Sequence, residues 1–415
     1  MHSVFPGTDA IIGAAALAIA TVVFIRRAVD PGLRTMPEAF VRYYTAARWL
    51  LWGRDFRNVY QGESFLERVK LFGLREPSVG FAGDAPTTAL LVAPLAWLSP
   101  HTARRLWTLG NVAAYLTAVH VLLGVLGTNE FLARCLLWSL ALVWSPTHEA
   151  FRRGDAAVLI FALNVMALMH LTRGHMWLAG GYLGLALLLK QYSLPLLPVI
   201  GLRGQLRALY GALAALAGLV VVTLPWTGLG AWGQWLGHQA PAALSAGFLP
   251  GPQYQGLGSA IGNAFTYDPV MSPHPWVASP GLAVGLQSLL TVFVLVLGLG
   301  AASRRRPQLS DPMAFATATV ASLIASPRAE ETHFTLALMP TLALLGRYLG
   351  GAGEPWISWT LIISAALLAA PFGSALPTEH RRGLAKLTQY PRLLGCIGLF
   401  VMCILAPLFR PEVWG

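Results

Sequence analysis

The sequence predicts an all-helical polytopic membrane protein, and three observations support this fold class. Of the 415 residues, 55% are hydrophobic and only 11% are charged, with a mean hydropathy of +0.59. Apolar stretches recur along the chain at lengths near those a bilayer crossing needs. Basic residues occur singly or in short clusters at the ends of these stretches, as the orientation of membrane proteins requires. We therefore expect residues 1–415 to form a single transmembrane domain.

The apolar stretches predict about twelve spans. They lie at about 9–26, 86–99, 104–126, 131–146, 155–172, 177–202, 205–225, 280–302, 312–327, 333–348, 356–374 and 392–409. Several stretches contain only about 14 to 16 residues, fewer than the roughly 20 that a full crossing needs. Some of these helices are therefore expected to be broken or tilted and to line a cavity.

The composition also excludes several classes of protein. The net charge of +11 does not indicate nucleic-acid binding, because the basic residues are dispersed along the chain instead of forming one patch. Cys135, Cys396 and Cys403 lie in apolar stretches, so neither a disulfide framework nor a metal cluster is indicated. No internal repeat is visible, which weakens a transporter hypothesis without excluding it. Arg26 and Arg27 follow the first apolar stretch, so we expect a retained first span.

The distribution of basic residues predicts the orientation. Residues 226–278 contain no Lys or Arg, whereas basic pairs mark the loops that alternate with this segment, at Arg104-Arg105, Arg152-Arg153, Arg203 with Arg207, and Arg304-Arg305-Arg306. Both termini are then cytoplasmic, and the outer loops span about 27–85 and 226–278, together with the turn from Ser326 to His333. One group conflicts with this rule, because Arg381, Arg382, Lys386 and Arg392 also fall outside.

The segment from Met36 to Tyr60 is charged and aromatic in an otherwise apolar chain. Its apolar positions recur at helical spacing, at Phe40, Tyr43, Tyr44, Ala47, Leu50 and Leu51. This pattern predicts a helix lying in the membrane interface, where it can hold polar chemistry at the bilayer surface. An amphipathic helix that only anchors the chain is the alternative.

Six motifs in order resemble the bacterial integral-membrane glycosyltransferases of the C-type fold. They read YYTAARWLLWG with RDFRNVY, FAGDAPTTALLVAPLAWL, SPTHEAFRRGDAAVLIFALNVMAL, LGLALLLKQYSLPLLP, QYQGLGSAIGNAF and ASPRAEETHFTLALMP. The resemblance covers about residues 10–350. Within that group the chain is most similar to the branch containing the mycobacterial phosphatidylinositol-mannoside mannosyltransferase.

The resemblance implies both the reaction and the location of the site. Members transfer a sugar from a polyprenyl-phosphate donor to a lipid or glycan acceptor on the outer face of the cytoplasmic membrane, with inversion and with an acidic residue of the first outer loop as base. Mannose is the expected hexose and the lipid bilayer holds the donor's tail. No cofactor is implied, and the first outer loop has no Asp-x-Asp pair to indicate a metal. Two other classes stay open: a flippase for a lipid-linked substrate, and a non-catalytic scaffold.

The chain departs from the family pattern at three places. Ala39 stands where the family has an acidic residue, with Glu38 one position earlier. Gly154-Asp155 replaces Gly-Gln, and Tyr254-Gln255-Gly256 replaces Asn-Gln-Ser. These differences leave the sugar and the acceptor open.

Three residues are the catalytic candidates. Glu38 is expected to be the general base, although at a helix start it is also suited to complementing the helix dipole. Asp84 is the rival base, with N-terminal capping of the following helix as its alternative. His333 follows the Ser326-Pro327 break, where it lies either in the active site or at an exposed interface.

The remaining candidates concern substrate binding. Lys190 lies inside an apolar stretch, so either it pairs with an anion such as the donor phosphate or it snorkels to the interface. Gln191 and Tyr192 would complete that polar patch. Arg152 and Arg153 are interpreted as a cytoplasmic topology signal, with a phosphate clamp as the alternative. Further substrate-binding candidates in the family-like motifs are Arg42, Tyr43, Tyr44, Asp155, Gln255 and Arg328.

Overall fold

A computed structural model describes residues 7–53, 55–74, 80–81, 83–241, 253–304, 311–349, 355–372 and 383–409. Within these ranges the regular secondary structure is helical, apart from two isolated bridges that pair Tyr254 with Glu330 and Asp268 with Ser272. The chain is therefore an all-helical protein, as its composition predicts. Arg54, Glu76, Arg381 and Arg382 lie outside the described residues.

The first half of the chain folds into eleven described helices, some in the predicted apolar stretches and others between them. In order they are α1 (Thr8–Phe24), α2 (Asp30–Arg34), α3 (Glu38–Trp52), α4 (Gly62–Leu71), α5 (Pro86–Ala96), α6 (Pro100–Val125), α7 (Phe131–Leu142), α8 (Ser145–Arg153), α9 (Ala157–Thr172), α10 (Met176–Leu189) and α11 (Leu196–Leu202). A π-helical turn, Ile25–Val29, joins α1 to α2 without a break.

The second half continues this arrangement. Its helices are α12 (Leu206–Gln234), α13 (Leu257–Phe265), α14 (Pro280–Ala302), α15 (Asp311–Ala325), α16 (Leu338–Leu349), α17 (Pro355–Ala369) and α18 (Pro391–Phe409). Short 3-10 helices lie at Phe56–Tyr60, Gln191–Ser193, Glu331–Thr335 and Gly383–Gln389.

Each predicted apolar stretch contains a helix, but the helices differ in length. Four described segments are long and apolar enough to cross a membrane: Thr8–Trp52, Pro100–Val125, Leu206–Gln239 and Pro280–Ala302. Most of the others are shorter, and α7, for example, has 12 residues. At about 1.5 Å per residue such helices are shorter than the roughly 30 Å hydrocarbon layer. The protein is a multi-pass membrane protein that contains several short helices.

Helix α5 packs against the segment 36–60 and is short. It has 11 residues, or about 17 Å. The Tyr60 hydroxyl donates to the carbonyl of Asp84 before α5 (2.8 Å), and the Tyr44 hydroxyl donates to the carbonyl of Leu98 after it (2.7 Å). Both ends of α5 therefore contact the segment 36–60, and α5 is shorter than the roughly 30 Å that a full crossing at 86–99 needs.

The stretch 177–202 is two helices instead of one. Helix α10 ends at Lys190, whose backbone is extended (φ −155°, ψ 150°), and α11 starts after a 3-10 turn. Pro195 favours this break because it has no N–H to donate to a preceding carbonyl. Lys190 lies beside Asp155, whereas Arg203 at the far end of α11 bonds Asp311 (2.9 Å) and the carbonyl of Ala302 (3.3 Å). The chain reverses direction at Lys190.

These two differences correct the predicted orientation of two basic pairs. The Arg104 guanidinium donates to the carbonyls of Leu33 and Thr35, so the start of α6 lies beside the end of α2. Arg153 pairs with Glu330 (3.2 Å). Arg104-Arg105 and Arg152-Arg153 thus lie on the face that carries residues 33–38, which we call the cavity face, and their predicted placement on the opposite face is wrong. After the extra reversal at Lys190, α11 leads away from the cavity face to Arg203. Arg305 and Arg306 lie outside the described residues.

The predicted outer loops also have different boundaries. Helix α12 continues through the first part of the segment 226–278, with a bend at Gly228 (φ 70°, ψ 159°), and ends in a π-helical turn, Trp235–Gln239. Trp232 and Trp235 are buried, whereas Trp226 is 52% exposed. Only part of the aromatic set is available to an interface. Residues 242–252 lie outside the described part of the chain.

The corrected path predicts which positions share a side of the membrane. Thr35→Cys and His101→Cys should react with an impermeant maleimide from the same side, and Glu130→Cys should react from the other, because α6 is 26 residues long and separates positions 101 and 130. The native cysteines are buried and should give little background. Labelling of position 101 together with position 130, but not with position 35, would contradict the path.

Candidate active site

A cavity of about 800 Å³ opens on the cavity face. Its wall combines the start of α3, the end of α8, the segment 253–255, the turn at 330–331 and the start of α18. Ionisable side chains from all but one of these segments line it, including Glu38, Arg42, Arg153, Asp155, Glu330 and Arg392. The fold thereby brings together residues up to about 350 positions apart in the sequence.

Gly154 follows α8 and packs against the start of α3, on one side of the cavity. It adopts a left-handed conformation (φ 65°), and an added Cβ would lie 3.0 Å from side-chain atoms of both Pro37 and Phe40. The Trp107 indole N–H donates to the carbonyl of Gly154 (3.1 Å). A glycine is favoured here because both the positive φ and the close approach disfavour a side chain. This contact places Arg152, Arg153 and Glu38 around the same cavity.

Arginines form one wall of the cavity. Arg27, Arg42, Arg152 and Arg153 all line it, and the side chains of Arg152 and Arg153 are 61% and 46% exposed. Glu149 binds Arg153 (2.7 Å) and Arg152 (3.1 Å), and Glu330 binds Arg153 (3.2 Å). Ion pairs this exposed contribute little to stability and exchange readily with an incoming anion. The alternative interpretation of Arg152 and Arg153, as groups that face a cavity, agrees with this geometry.

A second group of polar side chains is buried beside the cavity. The Lys190 ammonium donates to Asp155 (2.7 Å) and lies 3.4 Å from His333 Nε2. The hydroxyl of Tyr192 is 2.7 Å from His333 Nδ1, which also accepts the backbone N–H of Glu330 (3.0 Å). Four of the predicted site residues therefore lie together: Asp155, Lys190, Tyr192 and His333. Lys190 does not snorkel to the interface, because its ammonium is paired with Asp155 inside the protein. Its first partner is therefore a protein carboxylate and not a ligand.

Charge in this group follows from its contacts. Burial acts to raise the pKa of Asp155, but the Lys190 ammonium and the backbone N–H of Ala157 outweigh burial and bring the pKa to about 2. Burial, and then the charge of Lys190, lower the pKa of His333 well below its usual value. At neutral pH the group is an Asp155–Lys190 ion pair beside a neutral imidazole.

Glu38 and Asp84 have different environments. Glu38 is an exposed residue at the first position of α3, and it lines the cavity. Asp84 is 3% exposed, lies 3.8 Å from Arg42 and does not line the cavity. Burial raises the pKa of Asp84 in spite of Arg42. The capping interpretation of Asp84 is wrong, because the N-cap of α5 is Ala85 and no side chain caps that helix.

Other predicted site residues pack elsewhere. Tyr43 and Tyr44 are fully buried, with Tyr43 against Trp107 (ring centroids 6.0 Å apart) and the hydroxyl of Tyr44 on the carbonyl of Leu98. Gln191 begins the 3-10 turn after Lys190, and exposed Arg328 contributes its carbonyl to the hydroxyl of Tyr192 (3.4 Å). These four residues do not line the cavity.

Gln255 lines the cavity, but its amide is engaged with protein groups. The side-chain N–H₂ donates to the carbonyl of Gln389 (2.9 Å), and its oxygen accepts the backbone N–H of Arg392 (3.2 Å). Gln255 therefore positions the start of α18.

The sequence interpretation missed the most buried charge at the site. Arg392 is fully buried and binds both carboxylate oxygens of Glu331, with its Nε–H on Oε2 at 3.0 Å. Glu331 and Arg392 are 61 positions apart, so no local pattern could pair them. The only available signal was the conflict with the orientation rule that Arg392 created. Glu149, Glu330 and Phe372 also line the cavity without having been predicted.

Among the described residues, no group of three or more His, Cys, Asp or Glu side chains is placed to hold a metal ion. The polar groups on the cavity are instead paired carboxylates and guanidinium groups.

The comparison with protein families decides what kind of protein this is. The sequence model of glycosyltransferase family 87 matches residues 85–327, more than half of the chain. The chain belongs to glycosyltransferase family 87. No curated protein and no solved structure matched the chain. This family 87 chain is a membrane glycosyltransferase, and its matched part contains α8, Asp155, Lys190 and Gln255 but ends before Glu330 and begins after Glu38.

The Asp155–Lys190 pair should contribute strongly to the stability of this family 87 protein. Asp155→Asn should lower the melting temperature of the purified protein, because breaking a buried pair leaves an uncompensated charge and costs about 3–5 kcal/mol. The side chains are only 7% and 15% exposed. Asp155→Asn combined with Lys190→Met should lose less than the sum of the single changes, with a coupling of about 0.5–3 kcal/mol. Additive losses would show that the pair contributes nothing.

The same pair has a pH signature. Because the folded pKa of about 2 lies below the ordinary value of 3.8, the contribution of Asp155 is complete above the ordinary value and disappears as the pH falls toward the folded one. Thermal melts from about pH 5 down to about pH 2 should show the wild type losing this contribution to its melting temperature. Asp155→Asn should show no such loss.

Proposed function

We propose that this enzyme transfers a hexose from a polyprenyl-phosphate donor to a lipid or glycan acceptor on the outer face of the cytoplasmic membrane. The observation that carries this proposal is the cavity on one face of the protein, where exposed arginines and the carboxylate of Glu38 line the same space. A phosphate fits guanidinium groups, and a hydroxyl nucleophile needs a nearby base. The similarity to the branch of the phosphatidylinositol-mannoside mannosyltransferase supports mannose as the sugar.

The donor phosphate fits best against Arg152 and Arg153. Both line the cavity and both are exposed, whereas Lys190 is held by Asp155 at 2.7 Å and does not line the cavity. Glu330 is itself 41% exposed, so a phosphate can replace it on Arg153 at small cost. The polyprenyl tail would lie between helices in the bilayer, as the absence of water there requires of an apolar chain. In this proposal Lys190 shapes the site and does not bind the donor directly.

Glu38 is the proposed base. The acceptor oxygen attacks the anomeric carbon while its proton passes to the Glu38 carboxylate, and the bond from the anomeric carbon to the phosphate oxygen breaks. The electron pair of that bond leaves on the polyprenyl phosphate, whose added charge the arginines stabilise. Direct displacement inverts the anomeric centre. Asp84 is less suited, because it is buried behind Arg42 and away from the cavity.

A transfer assay tests the proposal directly. The purified protein is given polyprenyl-phosphate mannose, polyprenyl-phosphate glucose or a nucleotide sugar, with a glycolipid acceptor mixture, and product is followed by mass spectrometry. We expect transfer from a polyprenyl-phosphate sugar and none from the nucleotide sugar. Movement of a lipid-linked sugar across a liposome without transfer would support a flippase instead.

Glu38→Gln should lower turnover by about 100- to 10,000-fold, the usual value of general-base assistance, while preserving the fold. Asp84→Asn should have the smaller effect on the rate, and Glu130→Gln on the opposite face serves as the control. Normal turnover in Glu38→Gln combined with its loss in Asp84→Asn would transfer the role of base to Asp84.

Arg152→Gln/Arg153→Gln should weaken binding of polyprenyl phosphate by about tenfold or more, because charge-assisted contacts are lost. Lys190→Met, provided that it folds, should change this affinity less. Binding is measured on the purified protein by thermophoresis with a fluorescent polyprenyl phosphate. A larger loss in a folded Lys190→Met protein would identify Lys190 as the phosphate ligand.

A further inference from the structure

One part of the cavity wall differs in chemistry from the exposed arginines. Glu331, Ser145, Tyr254, Phe372 and Arg392 all line this part. Glu331 presents a carboxylate whose side chain is 19% exposed, and Phe372 presents an aromatic ring. We call Glu331, Phe372 and Arg392 the Glu331 corner.

Arg392 in this corner cannot serve as an anion-binding residue, because its donors are occupied. Its Nη1 donates to the carbonyls of Leu367 (2.8 Å) and Leu368 (2.5 Å), and its Nη2 donates to the carbonyl of Ala370 (2.7 Å). Nη2 also reaches Ser145 Oγ (3.2 Å), and Nε donates to Glu331. A guanidinium has five N–H donors, so little capacity is left for a ligand. Arg392 is a positioning residue.

What Arg392 positions is the carboxylate of Glu331. A planar guanidinium bound to both carboxylate oxygens fixes the orientation of that carboxylate as well as its charge. Each carboxylate oxygen has more than one acceptor site, so a carboxylate bound on one edge can still accept from hydroxyls on its open side. Glu331 thus offers rigid hydrogen-bond acceptors to the cavity.

Phe372 supplies the second half of the corner. Its ring lies 5.4 Å from the Arg392 guanidinium, is only half-buried and lines the cavity. A flat apolar ring beside fixed hydroxyl acceptors matches the surface of a pyranose, which carries hydroxyl groups at its rim and C–H groups on its face.

We propose that the Glu331 corner is a pyranose-binding subsite, in which Glu331 accepts hydrogen bonds from ring hydroxyls and Phe372 packs against a face of the sugar. The proposal rests on the proposed function in taking the ligand to be a sugar. The pyranose is either the donor's hexose or a sugar of the acceptor, since both carry the same hydroxyl and C–H chemistry.

The test compares ligands with and without a sugar on the purified full-length protein. The three probes are polyprenyl-phosphate mannose, polyprenyl phosphate and an alkyl mannoside, and the variants are Glu331→Gln and Phe372→Ala. Glu130→Gln and Phe131→Ala on the opposite face are the matched controls. Melting temperatures identify any variant that fails to fold. Phe372→Ala keeps the test open if Glu331→Gln unfolds, because it leaves the buried Arg392 pair in place.

If the subsite holds the donor's hexose, both variants should weaken the binding of polyprenyl-phosphate mannose by about tenfold, equal to about 1.4 kcal/mol. The binding of polyprenyl phosphate should be unchanged. If the subsite holds the acceptor sugar, only the binding of the alkyl mannoside should be weakened. The proposal is overturned if the variants weaken the binding of polyprenyl phosphate and of its mannosylated form equally, or if they change the binding of no probe. If the wild type binds no polyprenyl-phosphate sugar, the proposed function fails, while the alkyl mannoside still tests the subsite.

Discussion

The ion pair between Asp155 and Lys190 holds together the part of the structure on which the site depends. Asp155 accepts the N–H of Ala157 (2.8 Å) at the start of α9, and Lys190 stands at the end of α10. A lysine in an apolar stretch is costly without a partner, and the ends of two helices expose backbone groups that need partners too. The Asp155 carboxylate meets both needs at the start of α9, because one oxygen accepts the Ala157 N–H and the other accepts the Lys190 ammonium. The ion pair also places His333 and Tyr192 against the same point, so that the turn at 326–335 packs beside α9 and α10.

Interrupted helices follow from the same requirement. In a bilayer, irregular backbone is tolerated only where it is buried in protein or lines a cavity. The breaks at Lys190, at Gly154 and in the turn at 326–335 all lie on the cavity face, and each is bound to a neighbour by side-chain contacts. Short helices such as α5 and α8 are thus not failed spans. Helix α8 lines a polar space that a bundle of straight crossings would fill with apolar side chains.

The sequence was sufficient for the fold class and for many helix positions, since both depend on local hydropathy. It was not sufficient for the path of the chain. The stretch 86–99 is apolar enough for a span, but its helix has only 11 residues and both of its ends bond to tyrosines of the preceding segment. Likewise Lys190 was correctly singled out as an unusual residue, but its partner depends on a chain reversal that hydropathy does not record.

The two kinds of ion pair on the cavity differ in a way that separates binding from support. Arg153 and Glu330 are each more than two-fifths exposed, and exposed pairs are worth about 0–1 kcal/mol, so a ligand can take either partner. Arg392 is fully buried with Glu331, and removing one partner of such a pair costs several kcal/mol. A ligand will therefore leave the Arg392 pair intact and use only the open side of Glu331. The cavity has an exchangeable cationic wall and a fixed acceptor wall, which suits a ligand with an anionic group at one end and neutral hydroxyls at the other.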